Sequence, residues 1–255
     1  MDDATALALN ELNQALYRDR AAEWDAVRTR PWRGFARVAR ALGALPPGPL
    51  RVLDVGCGNG RLATALAKAL GPRRDALAYH GVDASEPLLA RARERAPRGS
   101  RFACADFVAS PPQVALPPGP FELVALFGVL HAVPGRARRR ALLEAATSRT
   151  ASGALLALSR WRFAECAERR ARIVSWERYR ESGGAAIDLA QLEPGDHLLS
   201  FGSEHALRYA HAIDPDELDE LLRGLPLDPL DDWCDEGSDA RENHYRLLRR
   251  RDEQR

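Results

Sequence analysis

Apolar positions along the chain follow two rhythms. Short unbroken apolar runs, as in strands buried on both faces, take turns with stretches in which apolar residues return every third or fourth position, as on one side of a helix. The first helical stretch covers residues 4–27 and aligns Leu9, Leu12, Leu16 and Tyr17. Pro31 breaks it, and a second helical pattern over 32–42 leads to the stiff connector Pro46-Pro47-Gly48-Pro49. Strands are predicted at 50–55, 76–82, 101–105, 121–127 and 154–159. Between them come a helix bearing Leu62, Leu66 and Leu70 that stops at Gly71-Pro72, and a helix capped by Ser85 with Pro87 in its first turn. A proline-rich loop at 110–120 and a helix at 135–148 with a strongly basic outer face follow. Residues 161–211 have a weaker pattern, too long for a plain connection. Asp214 then reads as an N-cap, with Pro215 as the first helical residue and Glu217 completing a capping-box-like pattern, and the helix ends at Arg223-Gly224. Residues 229–234 and 244–249, joined across 237–239, read as a closing hairpin.

Strands alternating with helices predict an α/β fold with a parallel sheet and right-handed crossovers. Residues 1–45 form a helical lid segment in this reading, and 46–255 form the main domain with a cap insertion at about 161–212.

Composition trims the range of functions. Of 255 residues 45% are apolar, enough for a sizeable core, and the net charge of +1 offers no overall field for nucleic acid or an anionic membrane. No apolar run reaches membrane-spanning length and Met1-Asp2-Asp3 does not open a signal peptide, so a cytoplasmic protein without a membrane partner is expected. Cys57, Cys104, Cys166 and Cys234 are far apart and predict reduced thiols. Lys68 is the only lysine among many arginines, a coding bias that removes weight from arguments based on arginine abundance.

The chemistry gathers at Asp54-Val55-Gly56-Cys57-Gly58-Asn59-Gly60, where the first strand passes through alternate glycines into a helix. Such a turn opens a ligand crevice at the carboxyl ends of the strands. A P-loop would need a lysine and a hydroxyl after the glycines, and a dinucleotide fingerprint would need glycine where Arg61 stands. The G-x-G-x-G spacing after Asp54 resembles class I S-adenosylmethionine (SAM) dependent methyltransferases, which implies a Rossmann-like seven-stranded sheet and SAM as the cofactor. SAM carries an ammonium and a sulfonium but no phosphate, so a carboxylate beside the loop suits it. The resemblance extends to the next strand ends. It implies Asp83 on the ribose hydroxyls with Ala84 beside it, Asp106 on the adenine amino group, and Phe107 on the ring; Tyr17 and Phe127 complete the expected cofactor site.

The flanks resemble the tRNA carboxymethyluridine (wobble uridine) methyltransferases. Tyr17 with Thr29-Arg30-Pro31-Trp32, Val129-Leu130-His131-Ala132, Gly195-Asp196-His197-Leu198-Leu199, Arg208-Tyr209-Ala210-His211 and Asn243 carry the likeness. It implies methyl transfer to a carboxylate, either in tRNA or in a small molecule or peptide, and a small activator protein as a possible partner. A carboxylate, with a pKa of about 4, is ionised at neutral pH and needs a guanidinium clamp rather than a base. Arg30 and Arg208 are the expected clamp, with Tyr209 adjacent. A phenol, amine or alcohol acceptor would instead require a general base, for which His131 is best placed. His131 could equally cap a turn, and the two arginines could be surface groups. His197, His205 and His211 match no metal-ligand spacing, so no metal is expected. The arginine runs at 136–140, 169–172 and 246–251 read as solvated faces or as an RNA track. A SAM-binding regulatory subunit without catalysis is the alternative from another class.

Overall fold

The computed structural model describes residues 1–181, 183–184, 187–202, 206–237 and 241–252. The chain opens with α1 (Asp3–Asp19), α2 (Ala21–Ala26) and α3 (Phe35–Gly43). The single helix expected over 4–27 is therefore two, parted at Arg20, whose φ of −116° leaves the helical range. The helix expected from Trp32 starts three residues later, at Phe35.

The alternating core follows as β1 (Leu50–Val55), α4 (Arg61–Ala69), β2 (Leu77–Asp83), α5 (Glu86–Arg95), β3 (Arg101–Cys104), the short α6 (Pro112–Ala115), β4 (Phe121–Phe127), α7 (Arg136–Arg149) and β5 (Thr150–Trp161). The cap holds α8 (Ala167–Arg170), β6 (Ile173–Val174), α9 (Trp176–Glu181), β7 (Asp196–Phe201) and β8 (Ala206–His211). The chain returns through α10 (Pro215–Leu222), β9 (Leu227–Asp235) and β10 (Asn243–Arg250). Of the residues read as joining the closing hairpin, Ser238 and Asp239 lie outside those described, as does His205.

Seven strands form one sheet in the order β3-β2-β1-β4-β5-β10-β9. The first five are parallel, and β10 runs antiparallel between β5 and β9. Because side chains alternate across a strand, each core strand feeds two apolar layers. Leu53, Val124, Leu126, Leu156 and Leu158 meet Leu142 and Leu143 of α7 and Leu218 and Leu221 of α10. Val52, Leu123, Ala125, Leu155 and Ala157 meet Val38 and Leu42 of α3 and Leu62 and Leu66 of α4.

The basic outer face expected on α7 is corrected by the structure. Arg139 is fully buried, Arg149 is buried against backbone carbonyls, and Arg136, Arg138 and Arg140 each pair with a carboxylate. The cap carries its own antiparallel sheet, β6-β7-β8. It packs on α1 through Leu9, Tyr179, Leu198 and Tyr209. No helix among the described residues is long and apolar enough to cross a membrane.

Candidate active site

The order of strands reverses where β1 meets β4, and a crevice opens at the carboxyl ends of such neighbours. Here the crevice becomes a cavity of about 1200 Å³, bounded by α1, α2, the glycine loop, the ends of β2, β3 and β4, and the cap. That volume exceeds the usual range for one ligand and leaves room for a donor and an acceptor together.

The three glycines of the loop are all left-handed, with φ of +70°, +52° and +77° at Gly56, Gly58 and Gly60. A Cβ on Gly56 would strike Val129, and one on Gly60 would press on Ala92, so these two keep the loop packed. A Cβ on Gly58 would meet nothing within 4 Å, so it is at Gly58 that the loop backbone opens toward a ligand. Asp83 accepts from the Gly58 amide at 2.8 Å and from the Ser85 amide at 2.9 Å, holding the loop to the end of β2. Ser85 does not cap its helix with its side chain; the hydroxyl donates to the Tyr17 carbonyl at 3.0 Å and ties α1 down.

Asp54 is buried at the floor, where the Tyr79 hydroxyl donates to it. Burial pushes its carboxyl up to about 7 against the opposing effect of that hydrogen bond. Tyr17, Ala84, Phe107 and Phe127 all border the cavity, Phe127 while also packing on Phe35 and Tyr245. Asp106 departs from expectation. One oxygen accepts from the amides of Val108 and Ala109, and the other accepts from Asn10 at 2.7 Å and Gln14 at 3.5 Å. Those donors occupy its lone pairs, so it ties α1 to β3 instead of offering a free acceptor for an adenine amino group.

The opposite end of the cavity is cationic and aromatic. Arg208 is 6% exposed, and its guanidinium lies 4.4 Å from the centre of the Trp161 ring and 5.0 Å from that of Trp24. Its Nε has no hydrogen-bond partner, and no carboxylate among the described residues pairs with it. Burial lowers its pKa, and the facing Tyr17 hydroxyl offsets this only in part. Arg28 stacks on Trp24 at 3.2 Å, and burial together with Arg208 brings its guanidinium down to about 9, still charged at neutral pH. Between them His131 is buried against Trp161, its Nδ1 without a partner, and burial and the two arginines push its pKa down to about 3.

Two of the expected catalytic groups are corrected. Tyr209 neighbours Arg208 on β8, and the alternation of a strand sends it to the other face. It is buried there, away from the cavity, and its hydroxyl donates to Asp196 at 2.7 Å. Arg30 lies at the exposed rim, and the place expected for it is taken by Arg28. Neither Arg28 nor Trp161 is among the site residues the sequence points to, and Trp24 reads there as a packing aromatic or part of a lid. Arg28 lies just past the end of α2, outside any helical periodicity, and the abundance of arginine leaves it without a signal in the sequence.

Behind the cap, Glu193, Asp196 and His211 lie close enough to suggest a cation site. Their atoms are turned on one another: His211 bonds Asp196 at 2.6 Å and Glu217 at 2.8 Å, while Arg139 pairs with Glu193 and with Glu217. Arg139 supplies positive charge and the carboxylates on both ring nitrogens raise the pKa of His211, so this is an ion-pair cluster.

With that geometry in place, residues 53–156 match the family model of a methyltransferase domain. The matched segment runs from β1 through the glycine loop into β5, so the likeness to a methyltransferase, and with it S-adenosylmethionine as the cofactor, centres on that loop. Over 130 residues it is 32% identical to a trans-aconitate 2-methyltransferase of Streptomyces avermitilis, a match covering 51% of this chain and 45% of that protein. The chain thus spans less than half the length of this curated relative. A 1,6-didemethyltoxoflavin-N1-methyltransferase from Burkholderia thailandensis, solved with its substrate and S-adenosylhomocysteine, is similar in structure. Its TM-score is 0.60 at 18% identity, covering 97% of this chain and 89% of that one. A SAM-bound amino pentose methyltransferase from Micromonospora echinaspora gives a TM-score of 0.57 at 20% identity, covering 91% and 97%. At such identities the structures speak for the fold: the Rossmann-like seven-stranded sheet expected from the sequence.

Proposed function

We propose that this chain is an O-methyltransferase that moves the methyl group of SAM to a carboxylate of a small organic acid. The observation that carries the reading is Arg208, a buried guanidinium held between two indole rings with no carboxylate of its own. A buried charge left unpaired is costly, and an anionic ligand would remove that cost. Arg28 adds a second cation beside it. An acid also agrees with His131, which burial and the arginines keep neutral and make too weak a base to activate a phenol or an amine.

In this reading the donor lies along the glycine loop. Gly58 admits it, Asp54 faces its ammonium group, Asp83 accepts from the ribose hydroxyls, and Ala84, Phe107, Phe127 and Tyr17 enclose the rest. The acceptor carboxylate, already ionised, is oriented by Arg208 and Arg28 so that one oxygen stands behind the methyl carbon. The new O–C bond forms as the C–S bond breaks, and its electron pair leaves on sulfur as a neutral thioether. No proton moves. Holding the two reactants in line accounts for most of what such a site must supply, about 7–11 kcal/mol of the barrier.

A small acid is favoured over a carboxymethylated uridine in tRNA. The arginines of the 136–140 run are paired with carboxylates of this chain, and the curated relative is named for trans-aconitate, a small carboxylate. The test uses methyl-labelled SAM with a panel of mono-, di- and tricarboxylates including trans-aconitate, and scores base-labile label as methyl ester. At least one acid should accept label, and Arg208→Ala should lower kcat/KM for it about 100-fold or more, with SAM affinity kept within threefold. Transfer only to amines or phenols, or full turnover by Arg208→Ala, would remove the carboxylate assignment.

A further inference from the structure

Between the donor and acceptor ends lies a set of contacts that neither end requires. Asn59 stands between Gly58 and Gly60, whose left-handed conformations turn its side chain away from the loop and toward the segment after α2. Both hydrogens of its amide are used: one goes to Asp25 at 2.7 Å and the other to the carbonyl of Arg28 at 3.1 Å. Asn59 and Asp25 are 4% and 8% exposed. Asp25 in turn takes both arms of Arg95 from α5, and hydrogen bonding to Arg95 is the chief reason its carboxyl stays below the ordinary range. Two residues further on, Arg61 donates to the carbonyl of Arg30 at 3.3 Å and lies 4.7 Å from the centre of the Trp32 ring. The residue whose presence ruled out a dinucleotide fingerprint therefore grips the same segment, 28–32.

We propose that Asn59 and Asp25 form a latch through which the cofactor loop holds Arg28 in place over the acceptor end of the cavity. They are positioning residues. A ligand lying against Gly58 immobilises the loop backbone, the loop orients the Asn59 amide, and that amide fixes the carbonyl of Arg28 and so the guanidinium resting on Trp24. Occupation of the donor site thereby readies the acceptor site, and by linkage an acceptor held on Arg28 tightens the donor site in return. What Arg28 does for an acceptor rests on the carboxylate reading; the latch itself does not.

The experiment needs no acceptor. Backbone amide exchange is followed in the full chain with and without saturating S-adenosylhomocysteine. In the native protein, amides 24–30 should exchange at least tenfold more slowly once the ligand is bound, together with amides 56–60. Asn59→Asp is isosteric, has no hydrogen to donate, and sets a carboxylate against that of Asp25. It should keep the ligand-dependent slowing at 56–60 and lose it at 24–30. Adding Asp25→Asn to that variant restores the donor–acceptor pair between 59 and 25 but not the bond to the Arg28 carbonyl, so slowing should return at 24–26 and stay lost at 28–30, which general loosening would not do. Asp25→Ala, outside the cavity wall, breaks the latch from the other side and should behave as Asn59→Asp does. Slowing at 24–30 that survives in both single variants, or is missing in the native protein, overturns the latch. Loss of S-adenosylhomocysteine binding in both single variants overturns it as well, since both residues would then serve the cofactor directly. Unchanged turnover in Arg28→Ala would count only against the carboxylate reading.

Discussion

Arg139 and Arg208 are both hidden from solvent, at 0% and 6% exposure, and their surroundings are opposite. Arg139 is held by Glu193 and Glu217, in the cluster that also contains His211 and Asp196. Arg208 has aromatic rings and an unpartnered histidine around it and no acid among the described residues. Desolvating a guanidinium costs several kcal/mol in either place. At Arg139 the protein offsets that cost itself and gains a fixed junction of α7, α10 and the cap. At Arg208 no acid among the described residues offsets it, and in the proposed reading an anionic acceptor does. Burial alone therefore does not separate the two arginines; the presence or absence of an internal counter-ion does, and the binding role proposed for Arg208 rests on that difference.

That contrast can be broken by substitution. The largest effect should come from Arg139→Ala, which leaves two largely buried carboxylates facing each other. It should lower unfolding stability by about 3–5 kcal/mol, read from the denaturant midpoint. Arg208→Met should do the reverse in the same assay, holding stability level or raising it by about 1 kcal/mol, while abolishing acceptor turnover. If the two arginines cost the same stability when removed, Arg208 has a counter-ion within the fold and the contrast fails.

A sharper test concerns His131. With its pKa pushed down to about 3 by burial and the two arginines, it is neutral across the working range. With SAM saturating, so that its ammonium keeps Asp54 ionised, the pH profile of kcat/KM for the acceptor should be flat from about pH 5.5 to 8, and His131→Asn should stay within tenfold of the native rate. A limb near pH 6.5 that vanishes in that variant would restore His131 as a base.

The smallest effect belongs to the paired cluster. Burial lowers the pKa of His211, yet its hydrogen bonds to Asp196 and Glu217 outweigh burial and leave it raised. A group whose folded pKa lies above its unfolded value stabilises fully below that unfolded value, about 6.5, and the contribution fades as pH climbs through the folded value. Tm should therefore decline as pH rises above about 6.5, and His211→Asn should flatten the decline. An equal decline in the variant would assign it to another group.

The donor half was legible along the chain because its determinants are local. β1 and β4 were read to the residue, since an apolar strand buried on both faces has no competing pattern. The glycines of the loop carry their own conformational reason wherever the chain folds. Asp214 capping α10 through the Glu217 amide is local in the same way. The acceptor half was not legible. Arg208 and Tyr209 are adjacent in sequence, and only the register of β8 against β7 decided which faces the cavity and which faces Asp196. Asp106 read as a free strand-end acid until α1 supplied Asn10 and Gln14, 96 and 92 residues away. Arg28 was one arginine among 36 until Trp24, Asn59 and Arg208 surrounded it. By itself the sequence determined the sheet, the loop and the donor, because periodicity and backbone preference act over a few residues. Only the tertiary structure decided which charges are neutralised within the fold and which are left without a carboxylate, because counter-ions are chosen by proximity in space.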